Sequence, residues 1–246
     1  PIFDKIKENL LTITQLMLLW NNEKEEETTL DGKNFIEPNE TVDEDKFSFT
    51  GKLDTKLLNE IFPNHPKDLT EKLLPHLNKY LQEFNMNTCE ERIHFFAQIA
   101  AETDNLNDMT ELSSQYASSK SKYKGRGLIQ LTGKGNYEPF QLYLKNVQNI
   151  VVDLLNNPGL IATDMDLAVL SAFWYWRVNK NQSQTLSKDL SENSLLKISK
   201  LINCGNIHFC RMNGTNCYDC LPHGYERRKL EFERLKQKFN CYESKK

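Results

Sequence analysis

In residues 53–239 apolar side chains recur every three or four positions in successive runs, several of them opened by a capping residue. That spacing constrains the fold more than any other feature, because it matches the period of a helix and not that of a strand. Asp54 stands before the run 55–62, Asp68 before 69–74, and Thr88 before 89–102, with Glu91 at the capping-box position. Pro63 and Pro66 separate the first two runs, and Pro75 opens a further amphipathic segment with Leu77, Tyr80, Leu81 and Phe84 on one side. Helices are also expected at 137–144, 166–176, 195–202 and 225–239. The reading is a mostly α domain, with any sheet confined to residues 123–131.

Residues 1–50 differ in kind. Ile2, Phe3, Ile6, Leu10, Ile13, Leu16, Met17 and Trp20 share one helical face. They are followed by a stretch, 21–50, with ten acids against three lysines. Few apolar residues and no periodicity make that stretch a solvated linker. The amphipathic face either docks on the main domain, the reading favoured here, or serves a preceding domain or a delivery partner. The domain division is therefore an amphipathic helix plus acidic linker at 1–50 and a main domain at 51–246, with a Cys-rich insertion at 204–223. A start at Pro1 rather than Met points to a processed form or a piece of a longer protein.

The formal charge is only −3, which argues against a nucleic-acid partner. With −7 in residues 21–50 and zero in 1–20, the main domain carries +4. The longest apolar run, residues 10–20, falls short of the roughly 20 residues a bilayer span needs. Neither a membrane span nor a cofactor is expected.

Glu102 and Glu111 flank a cluster of turn formers, residues 103–108. On one unbroken helix, nine steps of about 100° would put the two carboxylates on opposite faces. A break near residues 104–108 lets both face one cleft, with Glu102 at a helix C-terminus, where the negative end of the dipole favours the protonated carboxyl of a general acid. Taken alone, two such glutamates are more often ordinary surface residues. The stretch Tyr123-Lys-Gly-Arg-Gly-Leu-Ile-Gln-Leu-Thr-Gly-Lys-Gly-Asn-Tyr137 adds tight backbone together with the hydrogen-bonding groups of Gln130, Thr132 and Asn136. It lacks the third glycine of a dinucleotide loop and any Gly-Lys-Ser/Thr, so nucleotide binding is rejected. Trp174 and Trp176 lie in an apolar run and read as core.

That stretch, with Phe95-Phe-Ala-Gln-Ile-Ala-Ala-Glu102, Asp153-Leu-Leu-Asn-Asn-Pro158, Phe173-Trp-Tyr-Trp176 and Ile202-Asn-Cys-Gly205, resembles the ordered blocks of glycoside hydrolase family 19. This family comprises chitinases and related bacterial and phage lysozyme-like endolysins, and the resemblance runs from about Leu53 to Leu235. It implies a lysozyme-like, two-lobed α domain with a small β element near the cleft. The implied reaction is inverting hydrolysis of a β-1,4 bond next to an N-acetylhexosamine. By the same resemblance Glu102 is the general acid, Glu111 the general base, and Thr132 a holder of the attacking water. Inversion calls for carboxyl groups about 6.5–9.5 Å apart, which a nine-residue separation across a turn can meet. Gln130, Asn136, Asn203 and Tyr123 match cleft positions, and Arg227 matches an arginine that supports the acidic pair; for Asn136 a helix cap and for Tyr123 core packing are the competing roles. The chain departs from the family at Ala101, where a His is frequent, at Cys204 within the Asn-Gly-Gly block, and in the insertion before the last helix.

Six cysteines, four of them within residues 204–220, are read chiefly as disulfides. A zinc site using Cys217 and Cys220 with His208 or His223, and free thiols, are the other two possibilities. No metal is assigned. Disulfides imply an oxidising destination, the periplasm or the extracellular space. Peptidoglycan is favoured as substrate from the form of the central block and the +4 charge, which points to a muramidase-like endolysin or an antibacterial cell-wall effector with a delivery partner or an immunity protein. The alternatives are an endochitinase, or a catalytically inactive glycan-binding module.

Overall fold

The computed structural model describes residues 49–110, 122–212, 215–239 and 241. Of the expected N-terminal helix and linker, all but Phe49 and Thr50 lies outside the described residues, as does Glu111. Helices dominate, in the order α1 (Thr55–Ile61), α2 (Lys67–Glu83), α3 (Cys89–Glu102), α4 (Lys134–Asn146), α5 (Leu160–Thr163), α6 (Met165–Trp174), α7 (Gln182–Leu186), α8 (Glu192–Cys204) and α9 (Tyr225–Lys238). Among the described residues each expected helical run is found, those at 137–144 and 195–202 longer by two or three residues at each end and those at 69–74 and 75–84 fused into one helix.

The core is built around α3. Eleven of its fourteen residues are buried, so it is covered on nearly every side. Helix α9 runs along one flank and α8 meets another, while α2 packs on α6. Phe95 touches Phe96, Phe173 and Trp176 with ring centroids 4.8–5.4 Å apart, and Phe49 stacks on Phe239 at 3.9 Å. Trp174 and Trp176 are 2% and 0% exposed, which makes them core.

Local rules are overridden in two places. Pro75 does not open a new helix; it sits inside α2. An interior proline costs a helix about 3 kcal/mol, and burial of Leu73, Leu77, Tyr80 and Leu81 on the one continuous face outweighs it. Nor does Glu91 close a capping box with Thr88, which makes no side-chain cap bond. Glu91 is buried, accepting from Trp176 Nε1 at 2.9 Å and pairing with Arg177 at 2.8 Å. The tertiary partners outcompete the local one because a buried carboxylate must be paired.

The strands are not where the sequence places them. Residues 123–131 form no ladder and make only isolated bridges, Thr110 with Arg126 and Arg126 with Leu131. Gly127 and Gln130 adopt φ of 73° and 51°, which curls the chain out of extended geometry. The two-stranded antiparallel sheet lies instead in the Cys-rich insertion, β1 (Cys210–Met212) against β2 (Thr215–Cys217), with Cys210 opposite Cys217. All six cysteines pair: Cys89 with Cys241, Cys204 with Cys210, and Cys217 with Cys220. Neither free thiols nor a zinc site on Cys217 and Cys220 is compatible with this pairing.

Candidate active site

Helix α3 ends at Glu102 because the backbone turns sharply left-handed. Asp104, Asn105 and Leu106 take φ of 51°, 53° and 67° in succession. Asp and Asn tolerate that region through local hydrogen bonding, but Leu does so only under constraint. Leu106 is held there by burial, at 1% exposure, and by the Thr103 hydroxyl, which accepts from its N–H at 2.9 Å and donates to Ile99 O at 2.8 Å. The break expected between the two glutamates is present on the Glu102 side, and Glu102 is the last helical residue.

There its carboxyl opens on a cleft of about 560 Å3, within the range of ligand-sized sites. Gln130, Thr132, Asn136, Asn203 and Arg227 line the same cleft, five expected site residues gathered from three separate stretches of chain. Asp108, Tyr175 and His223 join them. Tyr123 does not. Its hydroxyl donates to Leu155 O at 3.1 Å and its ring meets Tyr137 edge-on at 5.3 Å, so it braces the loop from behind.

The hydrogen-bond partners fix what each side chain can still offer. Gln130 Nε2 donates to Asp108 O and Gly127 O, which commits both amide protons and leaves Oε1 as an acceptor. The Thr132 hydroxyl donates its one proton to Gln130 O at 2.7 Å, so towards the cleft it can only accept. Asn136 Nδ2 donates to Thr132 O at 2.8 Å from the first turn of α4, tying helix to loop; the helix is capped by Gly133, not by Asn136. Asn203 Oδ1 accepts from the His223 N–H at 2.9 Å, leaving the amide protons of Asn203 as donors. Gly125 is small by necessity: a Cβ there would lie 2.8 Å from Gln130 Oε1 and 3.2 Å from Thr132 Oγ1.

The arginine that meets Glu102 is Arg228, not Arg227. Arg228 on α9 is 3% exposed and donates from Nη2 to Glu102 Oε1 at 2.6 Å and from Nη1 to Gln98 Oε1 at 2.5 Å. Gln98 in turn donates to Ser199 Oγ at 3.2 Å, so α3, α8 and α9 share one buried chain of hydrogen bonds. Arg227, one residue earlier and therefore about 100° away around the helix, pairs with Asp104 in the turn after Glu102. The Arg-Arg doublet was visible in the sequence, but which member faces α3 depends on the rotation of α9. Burial, with the Glu102 carboxylate adding to it, pushes the Tyr175 hydroxyl well above the usual phenol range, so Tyr175 is neutral and its hydroxyl donates to Ile202 O at 3.3 Å.

A mostly helical domain with a polar cleft walled in part by one helix-terminal glutamate is of the lysozyme-like fold class. Residues 91–190 match the family model Chitinase class I, Glyco_hydro_19. A glycosyl hydrolase family 19 domain-containing protein of Haemophilus influenzae is 37% identical over 86 residues, 34% of each chain. Chitinase 3 of Oryza sativa subsp. japonica is 47% identical over 55 residues, 22% of this chain and 15% of the rice protein. The aligned stretches thus span about a third or less of these curated relatives. Among solved structures, a chitinase C mutant superposes with a TM-score of 0.55 at 20% identity, over 79% of this chain and 97% of that one. A family GH19, class IV chitinase from Zea mays gives 0.51 at 18%, over 77% and 94%. Over residues 91–190, then, the chain is similar to glycoside hydrolase family 19.

Proposed function

We propose that this protein hydrolyses β-1,4 glycosidic bonds next to N-acetylhexosamine with inversion, and that its substrate is peptidoglycan. The observation that carries the reading is Glu102 at the cleft wall with Oε1 held by the buried Arg228. A carboxyl oriented by one oxygen has the other available to protonate a departing sugar oxygen, as a general acid must. Glu111 acts as the base. The water it activates donates a second hydrogen to Thr132 Oγ1, whose own proton is engaged with Gln130 O. Gln130 Oε1 accepts from a sugar hydroxyl or N-acetyl N–H, and Asn136 and Asn203 bind the chain on either side of the reacting bond.

Two features support peptidoglycan: the +4 charge of residues 51–246, which suits an anionic wall, and the form of the central block. Three disulfides suit an oxidising compartment, either the periplasm or the extracellular space. Delivery as an antibacterial effector, with an immunity protein guarding the producer, is part of this proposal. Chitin is the second reading, favoured by relatives and structural neighbours named as chitinases.

The test is release of soluble fragments from purified peptidoglycan and from chitin oligomers, side by side, by wild type, Glu102→Gln and Glu111→Gln. Peptidoglycan release that falls by about 10³-fold or more in both variants is expected. Preferential chitin cleavage would move the protein to the second reading. A folded, oxidised wild type that cuts neither polymer would leave a glycan-binding module.

A further inference from the structure

Among the described residues, the cleft offers no exposed aromatic face for a sugar ring to stack on. Among the described residues lining it, the aromatic one is Tyr175, 7% exposed with its hydroxyl committed to Ile202 O. Trp174 and Trp176 are sealed in the core. Exposed aromatic surface occurs instead on the Cys-rich insertion, where Tyr218 is 63% exposed and its ring meets Phe209 edge-on at 5.7 Å.

That surface is crosslinked and is rooted in the cleft wall. The insertion leaves the wall at Asn203 and returns to it at His223, two cleft-lining residues joined to each other by a 2.9 Å hydrogen bond. Cys204–Cys210 and Cys217–Cys220 brace it, and the β1–β2 ladder sets Cys210 opposite Cys217. Lys200, 7% exposed and one turn before Asn203 on α8, donates to Tyr218 O at 2.7 Å and His208 O at 3.3 Å. The ammonium thereby pins the backbone on which the Tyr218 ring stands. An exposed ring on so constrained a backbone loses little conformational freedom when it takes a ligand.

The geometry points to Tyr218, backed by Phe209, as a stacking site for a sugar ring of the same glycan chain beyond Asn203, extending the cleft outward along the insertion. This rests on the glycosidase reading above. Its consequence is a preference for longer chains, since only a chain that overruns the cleft reaches Tyr218.

The probes are N-acetylglucosamine oligomers of increasing length and a solubilised peptidoglycan strand, titrated onto Glu102→Gln and onto Glu102→Gln carrying Tyr218→Ala or Tyr218→Phe. Val151→Ser in the same background, 84% exposed between α4 and α5, controls for loss of exposed apolar surface in general. Tyr218→Ala is expected to weaken binding of the longest ligands by about fivefold to tenfold, with the loss shrinking as the ligand shortens, while Tyr218→Phe and Val151→Ser bind like the parent. In otherwise wild-type protein the same length dependence should appear in kcat/KM for Tyr218→Ala. Equal affinity of Tyr218→Ala and its parent at every length, with the wild type cleaving normally, overturns the stacking site and leaves the glycosidase reading standing. A wild type that neither binds nor cleaves any of these glycans overturns both.

Discussion

Arg228 reaches across 126 residues of sequence to hold Glu102 Oε1 at 2.6 Å while its second amino group holds Gln98 Oε1 at 2.5 Å. The planar guanidinium is suited to this because its donors diverge at a fixed angle, which a lysine cannot reproduce. Arg228→Lys is expected to keep the charge and lose the fork, lowering kcat by about 10²-fold with a small change in KM. Arg228→Ala leaves a carboxylate and a buried amide without their partner and should also cost about 3 kcal/mol of stability. Steady-state kinetics on glycan together with urea unfolding of both variants separate the two effects; an unaltered kcat in Arg228→Lys would show that the fork does not orient the acid.

Gly125 gives the same site a different test. A Cβ at Gly125 would press to 2.8 Å of Gln130 Oε1, and Gln130 Nε2 is already tied to Asp108 O and Gly127 O. Gly125→Ala should displace the Gln130 side chain and crowd Thr132, raising KM and lowering kcat by about tenfold each. The fold should survive, since the near contact at 2.8 Å is with the end of a side chain. Gly127→Ala differs in kind, with φ of 73° and a Cβ 3.1 Å from Ala168 O, and should lower the unfolding midpoint.

His94 makes stability depend on pH. Nε2 donates to Asp189 O at 2.9 Å, Nδ1 is buried without a partner, and burial draws the pKa down to about 4. The unfolded chain binds a proton near pH 6.5, so between pH 6.5 and 4 the unfolded state holds more protons than the folded state. Stability is then lost as pH falls through that window, on the order of 3 kcal/mol in all, and this contribution is level below pH 4. Urea unfolding at pH 7, 5.5 and 4.5 should show the decline. His94→Phe, which keeps a ring against Phe232 at the 4.6 Å contact, should flatten it.

Cys89 and Cys241 close 152 residues, joining the N-terminus of α3 to the chain just after α9. Replacing both with Ser should cost about 2–5 kcal/mol, because the unfolded chain regains the freedom the crosslink removed. A differential scanning calorimetry trace should show the loss directly. Replacing Cys217 and Cys220, only three residues apart, should leave the main transition within about 1 kcal/mol of wild type.

Much of the helical architecture could be read from local pattern, because apolar spacing and caps act within a few residues. Asp54 and Asp164 cap as such residues do, accepting from the N–H three positions on, and Ser191 does the same for α8. The pattern misled where a distant partner outbid a near one. Glu91 turned from Thr88 to Trp176 and Arg177, and Pro75 was absorbed into α2 because its neighbours are buried. The sheet was misplaced because Gly127 and Gln130 turn left-handed, a choice made by packing against α6 through Ala168.

By itself the sequence determined the helical class, the turn that ends α3 at Glu102, the even cysteine count and the amide and hydroxyl groups of the central block, since each depends on residue type and short spacing. Tertiary structure alone decided which cysteines pair, that Tyr123 stands behind the loop while Gln130 and Thr132 face the cleft, and that Arg228 rather than Arg227 reaches Glu102. The reason is geometric: which side of a helix or loop meets a group over a hundred residues away depends on the rotation and packing of whole elements, and no local spacing encodes that.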